Sequence, residues 1–385
     1  MTMSQKTRSL LLLMGLVALL GVIVAVWRAL PTSTHRPQAL QQTSSSVSSP
    51  GAIATTTESL LSAVSTSSEM VIIPPIVTEP ATTTADLTML VVGDIMLDRT
   101  VATRTTRSGD KSYPFRKLPT NWLSGFDVTV GNLEGPLTPT RRPPEKSIDF
   151  QFDPAWGSIL KEQGFDAFSQ ANNHALDQGA LGYADSVRRL REAGFTVFGH
   201  QVDDGLIALA TTTVKGERLA FLGWNTTDSP INFTQAEEAI YRAKQQSDLV
   251  MAFLHWGQEY RDRPESDTVA LAHWLIDHGV DVVIGGHPHW VQGISSYKGK
   301  PIVWSLGNFV FDQDWSKETQ QGLTVALRVT DTQIGIQPFP VSIKVSQPAL
   351  EEGETLSTRL GALAKISDPE FREAIQTGKE LVFTR

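Results

Sequence analysis

From residue 86 onward, short unbroken apolar runs alternate with longer stretches of helical period. Leu87 to Val92, Asp166 to Asn172, Thr196 to Phe198, Leu249 to Leu254 and Val282 to Ile284 are compact enough and apolar enough to read as buried strands. Val128-Thr-Val-Gly-Asn-Leu-Glu134 repeats the plan. Between these runs, Asp153-Pro154 opens a helix to Gly164, with Asp as cap and Pro at the first helical position. Leu181, Ala184, Val187 and Leu190 recur at three- to four-residue spacing and predict a helix that stops at Gly194. A polar helix is predicted at 235–246 and a further helix at 267–278. Apolar stretches around Lys215-Gly216 predict a hairpin over 206–224, and Ile302 to Leu306 with two strands around Asp331-Thr332 completes a largely β closing section. Strand alternating with helix predicts an α/β fold.

The first 85 residues follow a different pattern. Leu10 to Trp27 is an apolar run of 18 residues preceded by Lys6 and Arg8, and a helix of that length reaches roughly 27 Å, enough to cross a bilayer core. It predicts a single-pass, uncleaved anchor at 10–27, with residues 1–9 cytoplasmic and the remainder outside, although Arg28 weakens the charge bias. A cleaved signal peptide and a secreted form are the alternative. Residues 28–85, rich in Ser, Thr, Pro, Ala and Gln, cannot bury enough to offset the entropy of ordering and predict a disordered tether. Beyond Ser346 the chain turns polar, so 346–385 reads as an extension with one short helix after Asp368-Pro369, leaving 86–345 as the folding unit.

Charge narrows the partners. A formal net charge of −8 argues against non-specific binding to nucleic acid. Between Arg99 and Lys146, however, nine Lys or Arg stand against four Asp or Glu, a local excess suited to a polyanion or simply to a solvated face. The absence of cysteine removes thiolate ligands and disulfides from consideration.

Chemistry collects where the predicted strands end. Asp94 follows the first strand, Glu134 the second, and Asn173 with His174 the third; His255 follows a later one, and His287 and His289 stand after Gly285-Gly286. In open α/β sheets that edge is where ligands bind, and carboxylates, an amide oxygen and imidazoles together suit borderline divalent metals such as Mn, Fe or Zn.

Six segments, Gly93-Asp-Ile-Met-Leu97, Gly131-Asn-Leu-Glu-Gly-Pro-Leu-Thr138, Ala171-Asn-Asn-His-Ala-Leu-Asp177, His255-Trp-Gly-Gln-Glu-Tyr260, Gly286-His-Pro-His289 and Ser305-Leu-Gly-Asn-Phe309, resemble in order those of the bacterial CapA family of poly-gamma-glutamate capsule synthesis proteins. The resemblance, which runs from Leu87 to Gln313, implies a metallophosphoesterase-like (calcineurin-like) two-sheet α/β sandwich flanked by helices around one or two divalent ions. It also implies Asp94, Asn173, His255, His287 and His289 as metal ligands, Glu134 as a bridging carboxylate, and His174 as the group that meets the leaving group, with Asp177 placed to orient it. Met96 departs from the pattern, since metallophosphoesterases carry His two residues after the first Asp. The first ion is therefore expected on Glu134, Asn173, His255 and His287, and a weaker second on Asp94 and His289. Two functions follow: a metal-dependent hydrolase or transferase acting on poly-gamma-glutamate, or a non-catalytic subunit that binds the polymer or a membrane synthase.

Overall fold

The computed structural model describes residues 86–199 and 208–385. The expected cytoplasmic segment, anchor and tether lie outside the described residues, and among those described no helix is long and apolar enough to cross a membrane.

Four parallel strands open the first sheet: β1 (Leu87–Ile95), β2 (Val128–Leu133), β3 (Ala167–Ser169) and β4 (Thr196–Phe198). The chain then builds a second sheet from β5 (Leu209–Val214), β6 (Glu217–Asn225), β7 (Leu249–His255), β8 (Val282–Gly286), β9 (Ile294–Tyr297) and β10 (Lys300–Val303), in the order β5-β6-β7-β8-β10-β9. It returns to the first sheet with β11 (Asn308–Val310), β12 (Gln321–Val329), β13 (Gln333–Lys344), β14 (Gln347–Leu350) and β15 (Leu381–Thr384). There β12 pairs antiparallel with β1 and β11 pairs parallel with it. The helices are α1 (Arg99–Ser108), α2 (Trp156–Gln163), α3 (Gly179–Glu192), α4 (Phe233–Gln246), α5 (Ser266–Asp277), α6 (Gly353–Ile366) and α7 (Arg372–Gln376).

The unbroken apolar strands are explained by burial on both faces. In β1, Met89 and Val91 join Phe221, Met251, Phe253 and Ile284 in the cluster shared by the two sheets, whereas Leu90 and Val92 join Ile159 and Leu160 of α2 and Leu190 of α3. On the far side of the second sheet, Val250, Ala252 and Leu254 pack with Ile240 of α4 and Leu275 of α5. The result is the expected two-sheet α/β sandwich with helices outside. Its seam is tight at Gly93, where a Cβ would lie 2.0 Å from the Gly307 carbonyl oxygen.

Two expectations need correction. In α3, Leu181 is 87% exposed and Ala184 is also exposed; Tyr183 and Ser186 take the inner positions beside Val187 and Leu190. The Tyr183 hydroxyl and Ser186 hydroxyl reach Gly199 O and Gln170 Oε1, so two residues of polar type are satisfied inside. The segment 346–385 is no polar extension. It contributes β14, α6, α7 and β15, and Leu360, Leu363, Ala364, Ile375, Leu381 and Phe383 are buried in the cluster between the sheets. Its polarity is only that of its outer face.

Removing that segment would expose apolar surface whose burial stabilises on the order of 10 kcal/mol, comparable to the whole stability of a domain. A chain of 86–385 is therefore expected to unfold cooperatively in urea, while 86–345 aggregates or shows no transition. Equal transitions in the two would contradict this packing.

Candidate metal centre

The carboxyl ends of both sheets meet at one point. Asp94, next to last in β1, lies in register with Asn132 of β2 and Asn308 of β11. Glu134 is the first residue past β2, His255 the last of β7, and His287 the first after β8. The His287 N–H donates across the seam to Asp94 Oδ2 at 3.2 Å. For that approach β8 must end without side chains: a Cβ on Gly286 would lie 2.8 Å from Asp94 Oδ1. His287 and His289 then hold φ of +92° and +56°, a conformation that costs free energy in residues with a Cβ and concentrates at functional sites.

Three of the candidate ligands converge. Ligand atoms of Asp94, Glu134 and His289 all lie within 4.8 Å of one another, with Asp94 Oδ2 3.5 Å from His289 Nδ1 and Glu134 Oε1 3.9 Å from His289 Nε2. All three are buried. Neither oxygen of Glu134 has a hydrogen-bond partner within the protein. Burial first, and then the charge of Asp94, push the Glu134 carboxyl well above its usual range. A buried carboxylate beside another is unfavourable unless a cation joins them. His289 is set up for such an ion: its Nδ1 donates to Asn308 Oδ1 at 2.9 Å, and Asn308 is itself held by bonds from its amide nitrogen to Gln313 and Thr319 O. The Nδ1 proton leaves Nε2, the nitrogen facing Glu134, as the acceptor.

Asn173, His255 and His287 form a second group. His255 Nε2 lies 2.9 Å from Asn173 Oδ1 and 3.2 Å from His287 Nδ1. Burial, then the neighbouring His287, lowers the His255 pKa well below its usual value, and burial with His289 pushes His287 down to about 4. Both rings are thus neutral near pH 7, the form that ligates metals. Glu134 groups with Asp94 and His289 rather than with this set. The place between the groups belongs to Asn132, whose amide nitrogen donates to Asp94 Oδ1 at 2.8 Å and lies 3.3 Å from His255 Nδ1.

His174 and Asp177 sit beside the centre. His174 Nδ1 is 2.6 Å from Asp177 Oδ2, which also accepts from the Phe150 N–H at 2.7 Å, and the Phe150 ring lies 4.1 Å from the imidazole. The Asp177 side chain is fully buried, and α3 begins only at Gly179. Met96 is fully buried in the outer apolar cluster, and its sulfur accepts the Asp98 N–H.

The basic excess between Arg99 and Lys146 is largely neutralised. Six of its nine cations are in ion pairs, Arg99 with Asp312, Arg104 with Asp314, Arg116 with Asp110, Arg141 with Asp98 and Asp149, Arg142 with Glu145, and Lys146 with Asp177. Arg99 remains close to the chemistry, its guanidinium 4.9 Å above the Phe150 ring that covers His174. Sequence reasoning missed the roles of Asn132 and Asn308. Their place in the strand-end motifs was the available signal; that both lie in register with Asp94 is visible only in the structure.

His287 gives a pH dependence with a definite sign. It stays neutral in the folded protein down to about 4, whereas the unfolded chain takes up the proton near 6.5. Its contribution to stability is therefore complete above pH 6.5 and is lost as pH falls from 6.5 to about 4, a change of about 3 kcal/mol in metal-free protein. Urea unfolding across that window should show the loss, and His287→Ala should reduce it. The same loss in both proteins would assign it to other groups.

With this geometry in hand, comparison with known proteins is specific. The family described as "Bacterial capsule synthesis protein PGA_cap" matches residues 88–313. The capsule biosynthesis protein CapA of Bacillus anthracis is 31% identical over 285 residues, covering 68% of this chain and 69% of that protein. The PGA biosynthesis protein CapA of Bacillus subtilis (strain 168) is 29% identical over 307 residues, covering 75% and 80%. Among solved structures, a hypothetical protein from Thermus thermophilus matches 69% of this chain and 97% of its own at 17% identity, with a TM-score of 0.38. A family match over more than half of the sequence, through all six strand-end motifs, makes the chain a member of the bacterial capsule synthesis protein family typified by CapA.

Proposed function

We propose that this protein carries a divalent ion, Mn, Fe or Zn, on Asp94, Glu134 and His289, and uses it to hydrolyse or transfer a linkage of poly-gamma-glutamate. The observation that carries this reading is Glu134, a fully buried carboxylate with both oxygens unpartnered and a second carboxylate beside it. The names of the Bacillus relatives support the polymer. Asn173, His255 and His287 offer a place for a second ion. The apolar run at 10–27 supports a membrane anchor with the domain outside the cytoplasm, where it would meet the polymer and the synthase that makes it.

A divalent ion at this place supplies Lewis acidity and an activated water. The chain's own residues do the remainder. Asn308 keeps the His289 proton on Nδ1 and so holds Nε2 toward the ion. Asp177 holds His174 through Nδ1, leaving Nε2 to give a proton to the departing amine. Phe150 covers that ring and Arg99 stands over Phe150, a cation suited to the free α-carboxylate that each γ-linked glutamate leaves on the polymer.

A second reading, a non-catalytic subunit that binds polymer or a synthase partner, is favoured by Met96. Its thioether stands in the apolar cluster where the resembled enzymes carry a ligand.

Two measurements separate these readings. Saturating Mn should raise the melting temperature of the metal-stripped protein by on the order of 3 °C. Glu134→Gln should raise it without metal, because a buried carboxyl that is costly to ionise beside Asp94 is gone, and abolish the response to Mn. A Glu134→Gln protein that still responds fully would remove the proposed ion. Separately, poly-gamma-glutamate incubated with the Mn form should shorten or acquire an added nucleophile. His174→Ala should slow this by about 10²-fold or more while keeping the thermal response. Binding without any covalent change would leave the second reading standing.

A further inference from the structure

Asn132 stands between the two groups of candidate ligands, 1% exposed and in register with Asp94. Its surroundings fix which way the amide points. The nitrogen meets Asp94 Oδ1 at 2.8 Å, and an ionised carboxylate only accepts. The oxygen meets Asn172 Nδ2 at 3.0 Å, and Asn172 is itself oriented by the main chain: its nitrogen donates to Leu133 O at 2.9 Å and its oxygen accepts from the His174 N–H at 3.2 Å. Turning the Asn132 amide over would set oxygen against carboxylate and nitrogen against nitrogen, which buried polar groups avoid.

The second N–H of that amide faces His255 Nδ1 at 3.3 Å, so this ring nitrogen is the acceptor. In the neutral ring the proton then sits on Nε2, the nitrogen that lies 2.9 Å from Asn173 Oδ1 and 3.2 Å from His287 Nδ1. An ion among Asn173, His255 and His287 would need that nitrogen bare, because a ligating imidazole keeps its proton on the other nitrogen and gives it to an outer acceptor. His289 has the opposite arrangement. Its Nδ1 donates to Asn308 Oδ1, and Nε2 is left toward Glu134.

We propose that Asn132 is a positioning residue that limits the centre to one tightly held ion: by donating to His255 Nδ1 it locks the ring proton on Nε2 and closes the second place. Asn308, which presents oxygen where Asn132 presents nitrogen, opens the first. The ion count rests on the ion proposed above for Asp94, Glu134 and His289, whereas the position of the His255 proton does not. Charge agrees with the count. The first place has two carboxylates, the second only neutral donors, and an amide between them adds nothing to offset a second dication. Asn132→Asp would supply both missing features, an acceptor for a proton on His255 Nδ1 and a negative charge between the two places.

NMR of the imidazole nitrogens in the purified full chain, labelled at histidine and free of metal, reads the proton directly, with His255→Gln identifying the signal. The unaltered chain should carry it on Nε2 and Asn132→Asp on Nδ1. In Asn132→Ala, which removes the donor and adds no charge, the proton should divide between the two nitrogens, and this variant decides the lock if Asn132→Asp does not fold. Calorimetric titration with Mn should count one tight ion in the unaltered chain and two in Asn132→Asp, the second at least about tenfold tighter than any second ion of the unaltered chain. A His255 proton on Nδ1 in the unaltered chain, two equally tight ions already present there, or a proton unmoved in both variants would each overturn the proposal. An unaltered chain that takes up no Mn yet holds the His255 proton on Nε2 would remove the ion of the proposed function and uphold the lock.

Discussion

Asp94 and His287 belong to different sheets, and the hydrogen bond from the His287 N–H to the Asp94 carboxylate spans the seam between them. The contact requires Gly286 to lack a Cβ and β8 to end where it does, and it forces the His-x-His segment into positive φ. Strain of that kind persists only where the surroundings over-determine it. Here both strands are buried on two faces, so neither end can relax without disturbing the core. The sandwich thus works as a clamp, and the donors at its edge are its contents.

What the clamp holds is electrostatically incomplete as a protein. Two carboxylates, Asp94 and Glu134, share a water-poor pocket with His289, and two further imidazoles nearby are kept neutral by burial and by a neighbouring imidazole, His255 by His287 and His287 by His289. Asn132 and Asn308 reconcile these groups. Asn132 donates to Asp94 while facing His255, and Asn308 fixes the His289 tautomer. Amides do this without adding charge, which in a low-dielectric pocket would be costly.

Much of this is legible in the chain's apolar pattern. Strands buried on both faces write themselves as continuous apolar runs, so their ends, and with them Asp94, Glu134, His255 and His287, can be placed by eye. Which donors group together is not legible, because register across two sheets decides it; Glu134 joins Asp94 and His289 instead of Asn173 and His255. The charge excess near Arg99 misleads for a similar reason, since Asp312 and Asp314, more than 200 residues away, neutralise Arg99 and Arg104. The C-terminal segment reads as an extension because its apolar signal is sparse. Leu381 and Phe383 alternate with outward Val382 and Thr384 over only four residues, and α6 buries one narrow stripe.

The proposed chemistry requires an ion between Asp94, Glu134 and His289. Anomalous scattering at the Mn absorption edge, recorded from crystals of the protein soaked in Mn, tests it most directly. The expected result is a peak within bonding reach of a Glu134 oxygen, an Asp94 oxygen and His289 Nε2. A map with no peak among those three residues, or with its only peak on Asn173, His255 and His287, would contradict the account.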